Sequence, residues 1–164
     1  MVPPVVEKIA IWVITPNGTK LAETLVRNLA RADVYISKKI IETADDHLSF
    51  ESLSDTLNHK FDRYDGHIFI MSTGIVVRVI APFIKNKVVD PAVVVVDDLA
   101  NHAISLLSGH LGGANALTLK IADIIGADPV ITTATDVNRV PAIDVLAKEK
   151  NLLIENPRAI KTVN

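Results

Sequence analysis

The sequence predicts an α/β fold in which helices cover both faces of a mostly parallel sheet. Three observations support this prediction. Short apolar runs alternate along the chain with segments whose apolar residues recur at helical spacing. Residues 9–14 and 92–96 are almost continuously apolar, as expected of parallel strands that are covered on both faces. Turn-forming residues such as Gly, Pro, Asn and Asp separate these runs.

The N-terminal third of the chain predicts two strands and two helices. Residues 9–14 form the first strand, and Thr19 is placed to cap a helix over residues 20–30. Residues 33–36 predict a second strand, and the polar residues 37–49 predict a loop. The next helix has an apolar face of four side chains: Phe50, Leu53, Leu57 and Phe61.

The middle of the chain predicts three strands and one apolar helix. Residues 67–71 form a strand, and the apolar residues 75–81 form the helix after it. Residues 92–96 form a buried strand. A hairpin turn at residues 97–101 then leads into a returning strand over residues 102–107.

A glycine-rich turn follows this hairpin and leads into another helix. Gly109, Gly112 and Gly113 lie within five residues, which lets the backbone approach a ligand closely. The helix begins at Ala114, and Gly126 is placed to end it. Unpaired N–H groups in the first turn of a helix, together with the helix dipole, favour an anion there. The turn matches neither the phosphate loop of nucleotide hydrolases nor the dinucleotide-binding pattern, so nucleotide binding is not indicated.

Residues 129–132 predict one more strand after the helix. Polar loops follow three of the predicted strands, at residues 72–74, 108–115 and 132–136. Ligands of parallel sheets bind beyond the carboxyl ends of the strands. We therefore expect these three loops to line one concave edge of the sheet and to form a single site. His110 lies in the second loop, and its side chain is the one best suited to proton transfer near neutral pH.

Composition excludes several classes of function. A net charge of −2 and an aromatic content of 4% give no sign of a nucleic-acid surface. The absence of cysteine excludes disulfides, thiol nucleophiles and thiolate metal sites, and agrees with a cytoplasmic location. No apolar segment approaches the ~20 residues of a membrane helix, so we expect a soluble protein without membrane contacts. No metal site is predicted, because metal-ligand spacing is lacking among His47, His59, His67 and His102.

Residues 1–136 are predicted to form one domain, and residues 137–164 a linker and the start of a truncated second unit. A mean hydropathy of +0.32 is high for a soluble monomer and predicts apolar surface kept for a partner. We therefore expect the region from Val137 onward to be exchanged between chains or buried in a homodimer.

Four motifs occur in order along the chain: GIVVRVIAP at residues 74–82, DPAVVVVD at 90–97, LLSGHLGGAN at 106–115 and PVITTATD at 129–136. Together they resemble the cobalamin-biosynthesis protein G family, the cobalt-precorrin-5A hydrolases of the anaerobic corrin pathway. The resemblance implies hydrolysis of the lactone of cobalt-precorrin-5A with release of acetaldehyde. It also implies that cobalt arrives inside the substrate, with no resident cofactor. Because family members usually continue into further domains, a non-catalytic corrinoid-binding module or a subunit of a split hydrolase is the alternative. An unrelated α/β protein that senses a ligand is a third hypothesis.

The ligand that this family implies suggests which residues bind it. A corrin precursor presents many carboxylates on a broad apolar ring. Helix N-termini at Gly74 and Gly113 are suited to bind these carboxylates, and the Arg78 guanidinium is a candidate clamp or else a surface charge. The remaining predicted substrate contacts are Thr73, Ser108, Gly109, Gly112, Asn115 and Thr133. Other expected partners are a second copy of the chain or other proteins of the corrin pathway.

Lactone hydrolysis also requires activation of water and stabilisation of an oxyanion. His110 is the candidate general base, and the N–H groups of Gly112 and Gly113 are the candidate oxyanion hole. Asp136 either orients His110 or caps the next helix. Ser108 lies outside any nucleophile-elbow pattern, so a turn hydroxyl is the better interpretation of its side chain.

Overall fold

The computed structural model describes residues 6–40, 48–110 and 112–134, and this part of the chain contains a seven-stranded sheet. The strands are β1 (Ile9–Val13), β2 (Ala32–Ser37), β3 (Leu48–Phe50), β4 (Gly66–Ile70), β5 (Ala92–Val96), β6 (His102–Leu107) and β7 (Asp128–Val130). The helices are α1 (Pro16–Asn28), α2 (Leu53–Lys60), α3 (Thr73–Ile80) and α4 (Ala114–Ile125). The order across the sheet is β3-β2-β1-β4-β5-β6-β7, which confirms the predicted α/β class.

Five strands run in one direction and two run in the other. β1 to β5 pair in parallel, β5 and β6 pair antiparallel, and β6 pairs in parallel with β7. The predicted hairpin makes this reversal. The Asp97 carboxylate closes its turn by accepting hydrogen bonds from the N–H groups of Leu99 at 3.0 Å and His102 at 2.6 Å. Because β7 keeps the direction of β6, both strands end at the opposite edge of the sheet from the others.

Helices cover both faces of the sheet, as predicted. Side chains alternate along β1, so Ile9, Ile11 and Val13 pack into the core on the side of α1 and α4. Ala10 and Trp12 pack into the core on the side of α2 and α3. All residues of β1, β4 and β5 are buried. This burial explains why the three strands are almost continuously apolar, because a strand between two covered faces has no side in contact with solvent.

The first helix begins earlier than the sequence predicts. α1 starts at Pro16, and its cap is Thr15, whose Oγ1 accepts a hydrogen bond from the Gly18 N–H at 3.0 Å. The prediction of Thr19 as the cap was therefore wrong. Proline favours the earlier start because its fixed φ suits the first helical position and it has no N–H group to satisfy.

The edge strand β3 lies where the sequence predicts a loop and the approach to a helix. Leu48–Phe50 pairs in parallel with the end of β2. α2 then begins at Leu53 and is capped by Ser52, whose Oγ accepts a hydrogen bond from the Asp55 N–H at 3.3 Å. The apolar side chains assigned to one helical face do share one core, but Phe50 reaches that core from the strand.

Some predictions concern residues outside the described ranges. Residues 41–47 make up most of the predicted loop before α2, and residues 137–164 are the predicted linker and second unit. The domain boundary at Asp136 and the exchange or dimerisation of the C-terminal region therefore stay predictions.

A histidine is buried in the aromatic core on the side of α2. His67 of β4 has no exposed surface, and its ring stacks on Phe61. The Trp12 Nε1–H donates a hydrogen bond to His67 Nδ1 at 3.0 Å, so the imidazole proton lies on Nε2 and is donated to the Phe61 carbonyl oxygen at 3.0 Å. Burial lowers the pKa of His67 to about 4, because a charged imidazolium is poorly solvated in this core.

We expect this burial to make the fold sensitive to acid. The folded protein keeps His67 neutral down to about pH 4, whereas the unfolded chain takes up this proton near pH 6.5. The stabilisation is complete above pH 6.5 and decreases as the pH falls towards 4, with a loss of about 3 kcal/mol from this group. Urea unfolding across this range should show a steeper pH dependence for the wild type than for His67→Gln. The exposed His59→Gln is the control and should behave as the wild type; equal slopes for all three proteins would contradict the assignment.

Candidate functional site

The three predicted site loops do not share one edge of the sheet. Residues 72–74 follow β4 and lie at the carboxyl ends of the five parallel strands, which we call the carboxyl edge. Residues 108–115 and 132–134 follow β6 and β7 and lie at the other edge, which we call the glycine-loop edge. Strands of this length separate the two edges by about 17 Å. The prediction of one site lined by all three loops was therefore wrong, because the hairpin reverses the direction of the last two strands.

The carboxyl edge contains the point at which the strand order of the sheet reverses, which the sequence pattern did not reveal. The connections after β1 and β4 leave towards opposite faces, and ligands of such sheets bind between two strands of this kind. At this point Thr15 Oγ1 donates a hydrogen bond to one carboxylate oxygen of Asp98, and Asn17 Nδ2 donates to the other at 3.1 Å. The Asp98 carboxylate therefore occupies the anion position at the N-terminus of α1. Residues 15–18 are the part of the sequence that could have indicated a site here, because they form a polar turn directly after the first strand.

Three predicted substrate residues lie at the carboxyl edge, in the first turns of α3. Thr73 opens the helix, and Gly74 follows it in an exposed position. The Gly74 carbonyl oxygen accepts a hydrogen bond from Nη1 of the exposed Arg78 at 3.0 Å, so the guanidinium lies against its own helix. Because His110 lies at the other edge, Arg78 and His110 are too far apart to contact the same functional group of a ligand.

The glycine-rich loop uses its own carbonyl groups to pair the first N–H groups of α4. The Ala114 N–H donates to the Ser108 carbonyl oxygen at 3.1 Å, and the Gly113 N–H donates to the His110 carbonyl oxygen at 3.1 Å. Gly113 lies in the left-handed region at φ 87°. Its N–H group is therefore used inside the loop and is not the second oxyanion donor that we expected. Gly112 stays a predicted donor.

Close contacts inside the loop explain why position 112 is a glycine and what role Ser108 has. A Cβ on Gly112 would lie 2.3 Å from the Ser108 Cβ and 2.8 Å from its carbonyl oxygen, so only glycine fits. Ser108 has a φ of 58°, a left-handed conformation that is strained for any residue with a side chain. Its Oγ is buried without a hydrogen-bond partner among the described residues. This geometry agrees with a turn residue and not with an exposed nucleophile.

Asn115 joins the two loops that do share the glycine-loop edge. Its side chain is 7% exposed, and its Oδ1 accepts a hydrogen bond from Ser105 Oγ at 2.6 Å. Its Nδ2 donates to Thr133 Oγ1 at 3.0 Å, and its backbone N–H donates to the Gly109 carbonyl oxygen at 3.0 Å. The amide also lies directly on Gly109, where a Cβ would come within 2.7 Å of Oδ1. Asn115 therefore connects β6, the glycine loop and the segment after β7.

A second loop packs against the glycine loop and exposes apolar side chains. Both carboxylate oxygens of the buried Asp90 accept hydrogen bonds from the Lys85 N–H, at 2.9 and 3.2 Å. The Asp90 carbonyl oxygen lies 3.3 Å from the position of a Cβ on Gly112. Val88 and Val89 precede it and are 71% and 61% exposed. The glycine-loop edge therefore combines an apolar surface with the N-terminus of a helix.

Of the two residues predicted to be catalytic, the described part of the chain includes His110 but not Asp136. His110 is half-buried and follows Gly109 directly in the loop. Asp136 lies outside the described residues, so its contact with His110 stays a prediction. In the ranges that are described, no group of three or more His, Cys, Asp and Glu side chains is placed to hold a metal ion. No helix of the described part of the chain is long and apolar enough to span a membrane.

Comparison with known proteins gives a consistent set of relatives. The sequence model of the family described as "Cobalamin synthesis G N-terminal" matches residues 55–136, half of the chain, which include the whole glycine loop. A cobalt-precorrin-5A hydrolase of Salmonella typhimurium is 48% identical over 160 residues, covering 96% of this chain and 45% of the relative. One from Priestia megaterium is 39% identical over 159 residues, covering 94% of this chain and 42% of the relative. The chain thus spans less than half the length of the curated relatives that it matches.

A solved structure supports the same relationship. The crystal structure of a cobalamin biosynthesis protein G homolog from Sulfolobus solfataricus superposes with a TM-score of 0.60 at 25% sequence identity. The match covers 98% of this chain and 45% of the other. The α/β fold described above is therefore similar to the fold of this solved structure.

Proposed function

The chain belongs to the cobalamin synthesis G family, and on this premise we propose that it hydrolyses the lactone of cobalt-precorrin-5A with release of acetaldehyde. The observation that supports this most strongly is the 48% identity with a cobalt-precorrin-5A hydrolase over 96% of the chain. We place the reaction at the glycine-loop edge, because His110 and the strained loop lie there together.

In the proposed reaction His110 acts as the general base. It takes a proton from a water molecule as the water oxygen attacks the lactone carbonyl carbon. The C–O bond of the lactone then breaks, which leaves a carboxylate and a hydroxyl group. The carbon that bears this hydroxyl leaves as acetaldehyde: the hydroxyl loses its proton and becomes the aldehyde carbonyl, while the C–C bond to the macrocycle breaks and its electron pair stays on the macrocycle. We assign the stabilisation of the oxyanion formed before the lactone C–O bond breaks to the Gly112 N–H and to the positive end of α4. Asp136 is proposed to orient His110.

The same edge suits a ligand with a broad apolar ring and anionic side chains. Val88 and Val89 form an apolar surface beside the glycine loop. Both side chains are mostly exposed and so contribute little to the core, and exposed apolar side chains of this kind favour a binding surface. The positive end of the α4 dipole favours carboxylates. Thr73, Gly74 and Arg78 stay predicted carboxylate contacts, but they would act at the carboxyl edge and separately from the reaction.

We further propose that the protein needs no resident cofactor, because cobalt enters inside the substrate. A cytoplasmic location agrees with the absence of cysteine and with the corrin pathway. Association as a homodimer or with other proteins of this pathway is proposed from the mean hydropathy of +0.32 and from exposed apolar side chains such as Leu99 and Val77.

Incubation of the 164-residue chain with purified cobalt-precorrin-5A tests the function. We expect one acetaldehyde for each corrinoid consumed, measured by coupled reduction of the aldehyde, together with a change in the visible spectrum of the corrinoid. Binding of the corrinoid without release of acetaldehyde would overturn the hydrolase and favour the alternative of a corrinoid-binding module. Absence of binding at micromolar concentrations would contradict both.

A further inference from the structure

The hydrogen bonds around Asn115 have a defined direction. The 2.6 Å contact between Ser105 Oγ and Asn115 Oδ1 has the length of an O–H···O bond, and the 3.0 Å contact between Asn115 Nδ2 and Thr133 Oγ1 has the length of an N–H···O bond. Ser105 therefore donates to Asn115, and Asn115 donates to Thr133. A hydroxyl group that accepts such a bond keeps its own hydrogen for another acceptor. The chain of bonds thus makes the Thr133 hydroxyl a donor.

We propose that Thr133 donates a hydrogen bond to a carboxylate of the corrinoid substrate and that Asn115 is the residue that orients it. This proposal rests on the function proposed above. It changes the expected role of Asn115, which we had predicted to contact the substrate: its side chain is 7% exposed, and its amide bonds to Ser105 and Thr133.

The position of Thr133 fits a carboxylate contact. Thr133 is half-buried and follows β7 at the glycine-loop edge, the edge that also carries His110. Its partner Asn115 belongs to the first turn of α4, so the hydroxyl lies close to the positive end of that helix. An anion placed there gains from both the hydroxyl hydrogen and the helix dipole. A neutral oxygen would gain much less from the dipole.

The isosteric substitution Asn115→Asp tests the direction of the bonds. A carboxylate at this position accepts from Ser105 as before, but it also accepts from Thr133, so the Thr133 hydrogen turns away from the substrate. We expect the Kd for cobalt-precorrin-5A, measured by absorbance titration, to rise about tenfold or more in Asn115→Asp and in Thr133→Val. The double variant should bind no more weakly than the weaker single variant, because both changes remove one interaction.

Control variants distinguish the loss of this hydrogen bond from a general disturbance of α4 and from charge repulsion. Thr133→Ser keeps the hydroxyl and should bind cobalt-precorrin-5A with the same Kd as the wild type. Thr118→Val removes a buried hydroxyl of the same helix that is bonded to Ala114 and should leave the Kd unchanged. If Asn115→Asp weakens binding as much in the Thr133→Val background as alone, the cause is repulsion by the new charge and the proposal is wrong. Unchanged binding by Thr133→Val while the wild type releases acetaldehyde overturns only this proposal, whereas an inactive, non-binding wild type overturns the proposed function as well.

Discussion

Replacement of His110 by glutamine is expected to lower the rate of acetaldehyde release from cobalt-precorrin-5A by about 10²–10⁴-fold, with little change in the Kd for the substrate. Glutamine keeps a polar side chain of similar size in the loop, but it takes up no proton near neutral pH. The attacking water then loses its base, while the apolar surface and the end of α4 still bind the corrinoid. Rates at saturating substrate and absorbance titrations measure the two effects separately.

Two other histidines provide matched controls for this variant. His59 lies on the exposed face of α2. His102 lies at the exposed start of β6, where its backbone N–H donates to the Asp97 carboxylate and its ring Nδ1 lies 3.6 Å from the same carboxylate. His59→Gln and His102→Gln should both keep wild-type turnover. Equal turnover by wild type and His110→Gln at saturating substrate would show that His110 is not the base, and a loss confined to the Kd would make it a binding residue.

Local sequence patterns were sufficient to predict much of the fold. β1, β4 and β5 were visible as apolar runs because both sides of each strand are covered. The helix α4 was visible between Gly113 and Gly126, which both take left-handed conformations at its ends. The short strand β3 was not visible, because three residues are too few to show a period and the pairing with β2 depends on residues far away in the chain.

The site was harder to predict because its geometry depends on strand direction. The hairpin at residues 97–101 was predicted, but the loops after β6 and β7 were still expected at the carboxyl edge, so residues 72–74 were placed too close to His110. The bonds of Asn115 to Ser105 and Thr133 depend on the packing of three separate segments, and no local pattern encodes them. The cap of α1 was misplaced for a local reason, since a proline set the start of the helix.

Replacement of Gly112 by alanine is expected to lower the free energy of unfolding by about 1–3 kcal/mol and turnover by about a hundredfold or more. The new Cβ would lie 2.3 Å from the Ser108 Cβ and 2.8 Å from the Ser108 carbonyl oxygen, both closer than any real contact. The carbonyl oxygen belongs to the backbone and also accepts the Ala114 N–H, so relief requires the loop to move. A movement of about 1 Å is enough to misplace a catalytic group. Urea unfolding and the acetaldehyde assay measure the two losses.

Gly74→Ala is the matched control for the stability of Gly112→Ala. Gly112 lies just before the start of α4, and Gly74 lies in the first turn of α3. A Cβ on Gly74 would meet only Arg78 Nη1 at 3.4 Å, so this variant should be as stable as the wild type or more stable by up to about 1 kcal/mol. Ser108→Gly provides a second test in the Gly112→Ala background. It removes the 2.3 Å contact and the strain at φ 58° but keeps the 2.8 Å contact with the backbone, so it should restore part of the lost stability and not all of it. Wild-type stability of Gly112→Ala, or no recovery on adding Ser108→Gly, would show that these two residues do not hold the loop in this conformation.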